Sequence, residues 1–141
     1  MSKKSEKIAA LIASCRGKSY DAHYLGYFEC FNQQLFYEAH DVLEELWLAQ
    51  RHTASHGFYK GLIQLAGAFV HLQKNRLGPA AALFKLSRKY LAAYPPTYEE
   101  LDITFVRQLI EQWLEALEKA DSSANPLHHQ KPPTLKLKGL R

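Results

Sequence analysis

The sequence of 141 residues is poor in several features that mark particular protein classes. Its two cysteines, Cys15 and Cys30, are too few for a disulfide framework and form no zinc-binding motif, so we expect buried thiols in a reducing compartment. No apolar run approaches the ~20 residues that a membrane-spanning helix needs, which predicts no membrane insertion. The N-terminus lacks the apolar stretch and cleavage site of a secretory signal, and we expect a cytoplasmic location.

Charge of one sign does not dominate the chain, although its formal net charge is +4. Residues 1–19 carry five basic side chains and one acidic, residues 20–120 carry nine and twelve, and residues 121–141 carry four and one. The body is therefore mildly acidic and the two ends are basic. Because a nucleic-acid-binding domain is expected to carry its basic face on the folded body, this distribution argues against a nucleic-acid partner. We interpret the basic ends as solvated arms.

No segment alternates apolar and polar residues with a period of two, so we expect no sheet. Apolar residues recur instead at helical spacing, which predicts helices over about 20–32, 35–50, 58–75, 79–94 and 104–120. The short connections make antiparallel neighbours of the first two helices and of the next two. The sequence therefore predicts an all-α fold, a compact helical bundle of two antiparallel hairpins plus a closing C-terminal helix.

Composition divides the chain into three parts. Residues 1–19 are predicted to form an arm with a short amphipathic helix, and residues 20–120 to form the helical domain. From Asp121 the sequence has serine, proline and histidine without periodicity, which predicts a disordered basic tail over residues 121–141.

Polar side chains interrupt the apolar faces of two predicted helices. His40 and Glu44 are four residues apart, so they stack on one shoulder of the helix over 35–50. Gln64 and His71 are seven apart and share a face of the next helix, which is otherwise apolar nearly all round. Small residues on that same face indicate either a second helix packed very close or space left for a ligand.

If the two shoulders face each other, these four side chains converge, and three interpretations remain open. The first is a structural hydrogen-bond network that fixes helix register, since each unpaired buried polar group costs ~1–3 kcal/mol. The second is a small-molecule or catalytic pocket in which His40 and Glu44 form an acid/base pair. The third is a divalent-metal site held by His40, Glu44 and His71.

Other candidate residues give weaker evidence for a functional site. His52 and His56 are interpreted as polar residues of a loop over about 51–57. Trp47 and Trp113 fall on apolar stripes and are predicted to pack in the core. Whether the protein is an enzyme is left open by these patterns.

Two motifs carry a resemblance to a known family. The first runs from Phe31-Asn32 through Phe36-Tyr-Glu-Ala-His40-Asp-Val-Leu-Glu44-Glu-Leu-Trp47, and the second is Phe58-Tyr-Lys-Gly61-Leu-Ile-Gln64-Leu-Ala with a following His71-Leu-Gln73. Over about residues 20–94 the chain resembles the bacterial, archaeal and plastid family catalogued as domain of unknown function 309. The resemblance implies an all-α, bundle-like fold and brings no established activity. The family's motif residues map onto Asn32, Glu38, His40, Glu44, Glu45, Trp47, Gly61, Gln64 and His71.

This chain has Asp41 and Lys60 where the family more often has Glu and Gln. From the polar cluster and the resemblance together, we expect ligand-binding roles for Gln64, His71, Asn32, Glu45 and Trp47. The leading hypothesis is a cytoplasmic helical domain whose buried polar pocket binds a small ligand or a divalent metal and supports acid/base hydrolytic chemistry. The alternative is a non-enzymatic protein-interaction module in which the polar cluster is structural.

Overall fold

The computed structural model describes residues 9–10, 20–119 and 125–138. Five helices form the body, namely α1 (Ala22–Asn32), α2 (Phe36–Ala49), α3 (His56–Gln73), α4 (Leu77–Leu91) and α5 (Ile103–Lys119). Two strands of two residues each, β1 (Thr97–Tyr98) and β2 (Leu101–Asp102), precede α5, and a 3-10 turn, Pro126–His128, follows it. The all-α prediction is confirmed, with one small antiparallel hairpin where no sheet was expected.

Part of the predicted N-terminal helix lies outside the described residues. Ala9 and Ala10 are helical, and Cys15 is not among the residues described. Cys30 is buried in α1, as expected. Within the described part of the chain, no helix combines the length and apolar character required to cross a membrane.

Capping residues set the bounds of several helices. The carboxylates of Asp21 and Asp102 accept backbone N–H bonds at the starts of α1 and α5, which satisfies donors that have no partner inside the helix. Gln34 and Asn75 adopt positive φ angles of 64° and 57° just after α1 and α3. This left-handed conformation turns the chain out of a helix, and Asn is among the residues that tolerate it best.

A chain of aromatic rings crosses the whole bundle. Phe31 of α1 contacts Phe36 of α2, with ring centroids 5.0 Å apart, and Phe36 stacks on Phe69 of α3 at 4.9 Å. Phe69 then meets Phe84 of α4 at 5.2 Å and Trp113 of α5 at 5.0 Å. These rings connect the other four helices to α3, which packs directly against α2 and α4. The core position predicted for Trp113 is confirmed.

The small residues of α3 are explained by the close approach of α4. A Cβ atom added to Gly61 would lie 2.8 Å from Leu91 Cδ2, and one added to Gly57 would lie 2.9 Å from the Tyr94 hydroxyl. The buried Ser87 hydroxyl donates a 2.7 Å hydrogen bond to the Gly61 carbonyl across the same contact. This part of the small-residue face therefore serves helix packing.

Residues 125–138 pack on the body, so the prediction of a disordered tail does not hold for them. Asn125 is 2% exposed, and its amide donates a 2.6 Å hydrogen bond to the Leu72 carbonyl. Leu135 is 1% exposed and belongs to the hydrophobic core. Isolated anchors of this kind leave no periodic signal in the sequence, which is why composition alone predicts disorder.

Candidate functional site

An open groove of about 260 Å³ runs over α3, with α2 and α4 as its walls. It is lined by Tyr37, His40, Gln64, Gly67, Val70, His71, Lys74 and Leu83. The structure thus brings together His40, Gln64 and His71, three of the four side chains expected to converge. Glu44 is half-buried and does not line the groove.

Helical spacing explains why α3 supplies the floor. Gln64, Gly67, His71 and Lys74 are separated by three or four residues, so they follow one another along one face of the helix. A Cβ atom added to Gly67 would lie 3.0 Å from Leu83 Cδ1 and 4.0 Å from His40 Cδ2. The absence of a side chain at Gly67 therefore leaves space between Leu83 and His40 on the floor of the groove.

The carboxylate in contact with His40 is that of Asp41. Asp41 Oδ1 lies 3.3 Å from His40 Nδ1, and both side chains are about one-third exposed. An ionised carboxylate can only accept, so Nδ1 carries the proton in this contact. In the neutral ring, Nε2 is then the atom with a free lone pair. The acid/base partner predicted for His40 was Glu44; the contact observed is with Asp41.

His71 carries unused hydrogen-bonding capacity. Its Nδ1 is buried and has no hydrogen-bond partner among the described residues. Desolvation lowers the pKa of His71 below its usual value, and the nearby charges of Arg76 and Lys74 lower it further. The neutral form of the ring is thus favoured, and a bound group that hydrogen-bonds the imidazole would supply the partner that Nδ1 lacks.

The electrostatic character of the groove is positive at its His71 end. Lys74 lines it, with Nζ 6.0 Å from the centre of the Tyr37 ring, and Arg76 acts on His71 from the helix end. None of the described residues that line the groove is acidic. Such a surface attracts anions and repels cations.

A second polar cluster lies nearer the start of α3. The Trp47 ring stacks on His56 with centroids 4.9 Å apart, and Lys60 Nζ lies 4.4 Å from the Trp47 ring centre. Trp47 Nε1 and His56 Nε2 are buried without a hydrogen-bond partner in the described part of the chain. His56 was expected in a loop but is the first residue of α3, and Trp47 is a partly buried residue at the edge of the core. Neither residue lines the groove.

Two other residues predicted to bind ligand serve elsewhere. Glu45 is 67% exposed and pairs with His23 of α1, with Oε2 and Nε2 2.8 Å apart. Asn32 hydrogen-bonds the backbone of Leu135 in the C-terminal segment. Neither side chain lines the groove.

The described residues contain no group of three or more His, Cys, Asp and Glu side chains that could hold a metal ion. His40 and His71 share the groove, and Glu44 does not complete a triad with them. The arrangement of these side chains therefore does not support the predicted divalent-metal site.

The part of the chain that matches a known family contains the groove. Residues 24–89 match the family model described as domain of unknown function (DUF309). The match covers just under half of the chain, includes every residue that lines the groove, and confirms the resemblance drawn from the two motifs. No curated protein and no solved structure matches the chain. Since the description of DUF309 names no activity, the function has to be inferred from the site.

Five of the residues that line the groove were missed by sequence reasoning, namely Tyr37, Gly67, Val70, Lys74 and Leu83. Tyr37 lies three residues before His40, and Lys74 lies three after His71, so extending each polar face by one turn would have found both. Leu83 comes from α4, and its place in the wall depends on how α4 packs on α3, which helical periodicity does not specify.

Proposed function

We propose that the groove over α3 binds a small anionic molecule that carries a carboxylate or phosphate group. The observation that carries the proposal is that His71 and Lys74 both line a groove without acidic residues, and that the buried Nδ1 of His71 lacks a hydrogen-bond partner among the described residues. An oxyanion at this end would accept a hydrogen bond from the imidazole and pair with the ammonium group. The cytoplasmic location predicted from the sequence is kept as part of this proposal.

The size of the groove limits the ligand. Its volume of about 260 Å³ is below the ≈ 300–1,000 Å³ of sites that hold drug-sized molecules. Val70 and Leu83 offer apolar surface to a carbon skeleton, and Gln64 offers both a donor and an acceptor. A short carboxylic acid or a small phosphate ester fits this combination.

Any proton transfer at this site is assigned to His40 in the proposal. Asp41 orients the ring and leaves Nε2 as the base, which is the arrangement that general-base catalysis uses. His71 is assigned to binding, because its Nδ1 has an unmet need for a partner. A metal ion has no part in this proposal.

The proposal is tested by thermal-shift titration of the full chain with succinate, citrate and inorganic phosphate, each against sodium chloride at equal ionic strength. A ligand at one hundred times its Kd stabilises the native state by about 2.7 kcal/mol, which raises Tm by several degrees in a chain of this size. We expect this rise in the wild type and its loss in Lys74→Gln. Lys85→Gln is the matched control, since Lys85 is exposed on α4 and does not line the groove.

Two results would overturn the proposal. One is that none of the three probes stabilises the wild type beyond the effect of chloride. The other is that Lys74→Gln responds as fully as Lys85→Gln. The structural-network interpretation predicts this second pattern, with the groove variants lowering Tm and leaving its dependence on anions unchanged.

A further inference from the structure

The α2 wall of the groove carries two planar rings. Tyr37 and His40 are three residues apart on α2, so they follow one another on one face of that helix, and both line the groove. Tyr37 is 49% exposed, and it is one of four large hydrophobic residues that are exposed in the described part of the chain. Of these four, Tyr37 is the one that lines the groove. The groove therefore offers an accessible aromatic surface to a ligand.

The floor and the opposite wall of the groove are apolar next to these rings. Gly67 has no side chain, which allows a ligand to approach the backbone of α3 closely at this point. Leu83 of α4 forms the opposite wall, and Val70 lies one turn further along α3. A planar ring is the shape that packs against the two rings of α2 while it lies over a glycine. The lining thus favours a flat ligand over a branched one.

The ammonium group of Lys74 lies next to this aromatic surface. Its Nζ is 6.0 Å from the centre of the Tyr37 ring. A carboxylate that pairs with Nζ at about 2.7–2.9 Å is therefore held close to Tyr37. When that carboxylate is bonded directly to an aromatic ring, the centre of the ligand ring comes within the separation of roughly 4.5–7 Å at which two aromatic rings attract each other. One ligand can thus use the charge of Lys74 and the ring of Tyr37 together.

The volume of the groove limits the number of rings in the ligand. An apolar cavity of about 150 Å³ is large enough to hold one benzene molecule. The groove measures about 260 Å³, which leaves room for one six-membered ring together with a carboxylate group. Its volume is below that of sites for drug-sized molecules, which contain several rings. A single-ring acid therefore fits the groove.

We infer that the anion bound in the groove is an aromatic carboxylate with a single ring, and that Tyr37 is the residue that selects it. The ligand ring stacks on Tyr37 and lies over Gly67, with Leu83 on its other side. Its carboxylate pairs with Lys74 and accepts a hydrogen bond from His71. This inference rests on the proposed anion site and adds one requirement to it, which is an aromatic face in the ligand.

The test compares benzoate with cyclohexanecarboxylate, two acids of equal charge and similar size of which only benzoate has an aromatic face. Isothermal titration calorimetry of the full chain at equal ionic strength gives the Kd of each. Burial of apolar surface alone favours cyclohexanecarboxylate, because its ring has more hydrogen atoms and a larger surface. Stacking on Tyr37 favours benzoate, and we expect benzoate to bind the wild type about three-fold or more tightly than cyclohexanecarboxylate.

Three variants assign this preference to Tyr37. Tyr37→Leu keeps an apolar side chain at the position and removes its aromatic face, so the preference for benzoate should disappear. Tyr37→Phe keeps the ring and should retain the preference. Phe105→Leu is the matched control, since Phe105 is a second exposed aromatic residue, 47% exposed, that does not line the groove. The measured quantity is the ratio of the two Kd values, so any change in the position of Lys74 affects both acids alike.

Two results would overturn this inference and leave the anion site standing. In the first, succinate, citrate or phosphate stabilises the wild type through Lys74, but benzoate binds no more tightly than cyclohexanecarboxylate. In the second, Tyr37→Leu keeps the wild-type ratio of the two Kd values. If none of the five probes binds the wild type, the proposed anion site and this inference fail together.

Discussion

His40 of α2 faces Gly67 of α3 across the floor of the groove, and a Cβ atom added to Gly67 would come within 4.0 Å of His40 Cδ2. On the other side the same atom would lie 3.0 Å from Leu83 Cδ1, the tip of a flexible side chain. Gly67 is thus the position where one added methyl group narrows the groove without meeting backbone. This contact leads directly to a test of the groove as a binding site.

Gly67→Ala should weaken anion binding while changing stability little. The gain in helix propensity, about 0.5–1 kcal/mol, offsets the displacement of Leu83, whereas the methyl group occupies ligand space. We expect roughly a five-fold loss of affinity for the best of the three anion probes, about 1 kcal/mol. Gly78→Ala is the control, because a Cβ atom there meets nothing within 4 Å and should leave affinity unchanged. Equal affinities in the two variants would argue against a ligand over Gly67.

Gly61→Ala should behave in the opposite way and destabilise the fold. Its Cβ atom would lie 2.8 and 2.9 Å from two carbons of Leu91 and 3.3 Å from Tyr90 Cβ, so α3 and α4 would have to move apart. Overpacking of this kind costs about 1–3 kcal/mol, more than the helix propensity of alanine returns. Urea denaturation monitored by circular dichroism measures the change. A stabilised variant would show that the two helices are less tightly packed than the structure indicates.

The lowered pKa of His71 predicts a loss of stability in acid. Desolvation is the main cause, and Arg76 and Lys74 add to it. As the pH falls below 6.5, the usual value for His, the unfolded chain takes up this proton before the folded chain does. The unfolded state then binds more protons than the native state, so stability rises with pH in this window and is retained in full above it.

His71→Gln should reduce this pH dependence, because Gln does not titrate. Urea midpoints measured at about pH 7.5 and about pH 5.5 give the comparison for the wild type and the variant. His52→Gln, at an exposed position, should keep the wild-type slope. If His71→Gln keeps it as well, the acid sensitivity arises elsewhere in the chain.

Asn125→Ala should release the C-terminal segment from the end of α3. The amide donates to the Leu72 carbonyl and to Asn75 Oδ1, and its removal leaves buried groups unpaired at a cost of about 1–3 kcal/mol. Limited proteolysis followed by mass spectrometry should show faster cleavage within residues 125–138. Gln130→Ala, at an exposed position, is the control. Equal cleavage of both variants would contradict the anchoring role of Asn125.

The helices could be predicted because their apolar spacing is regular, and three of the groove residues could be predicted because the angle between successive residues of a helix is fixed. Gln64 and His71 were placed on one face by their spacing alone, and His40 was placed at the edge of the buried stripe. Around the helix axis, Glu44 lies about 40° farther from the centre of the apolar stripe than His40 does. In the structure Glu44 does not line the groove. The angular positions of residues on one helix do not determine the extent of a groove that is formed by three helices.

The rest depended on contacts between residues distant in sequence. Asn32 is a motif residue in the resemblance, yet its partner Leu135 lies over one hundred residues away in a segment that has no periodic pattern. Likewise, whether Gly57 and Gly61 make room for a neighbouring helix or for a ligand depends on the position of α4 and of the residues that follow it. A single sequence carries no local signal for either contact.

The most direct test of the account follows the ring of His71 by NMR during titration of the full chain with succinate, citrate or phosphate. A bound anion next to the imidazole favours its charged form, so we predict that the pKa of His71 rises on saturation with at least one probe. The exposed His52 serves as the internal reference and sodium chloride at equal ionic strength as the blank. A pKa of His71 that stays unchanged at saturating concentrations of all three probes would contradict the proposed anion site.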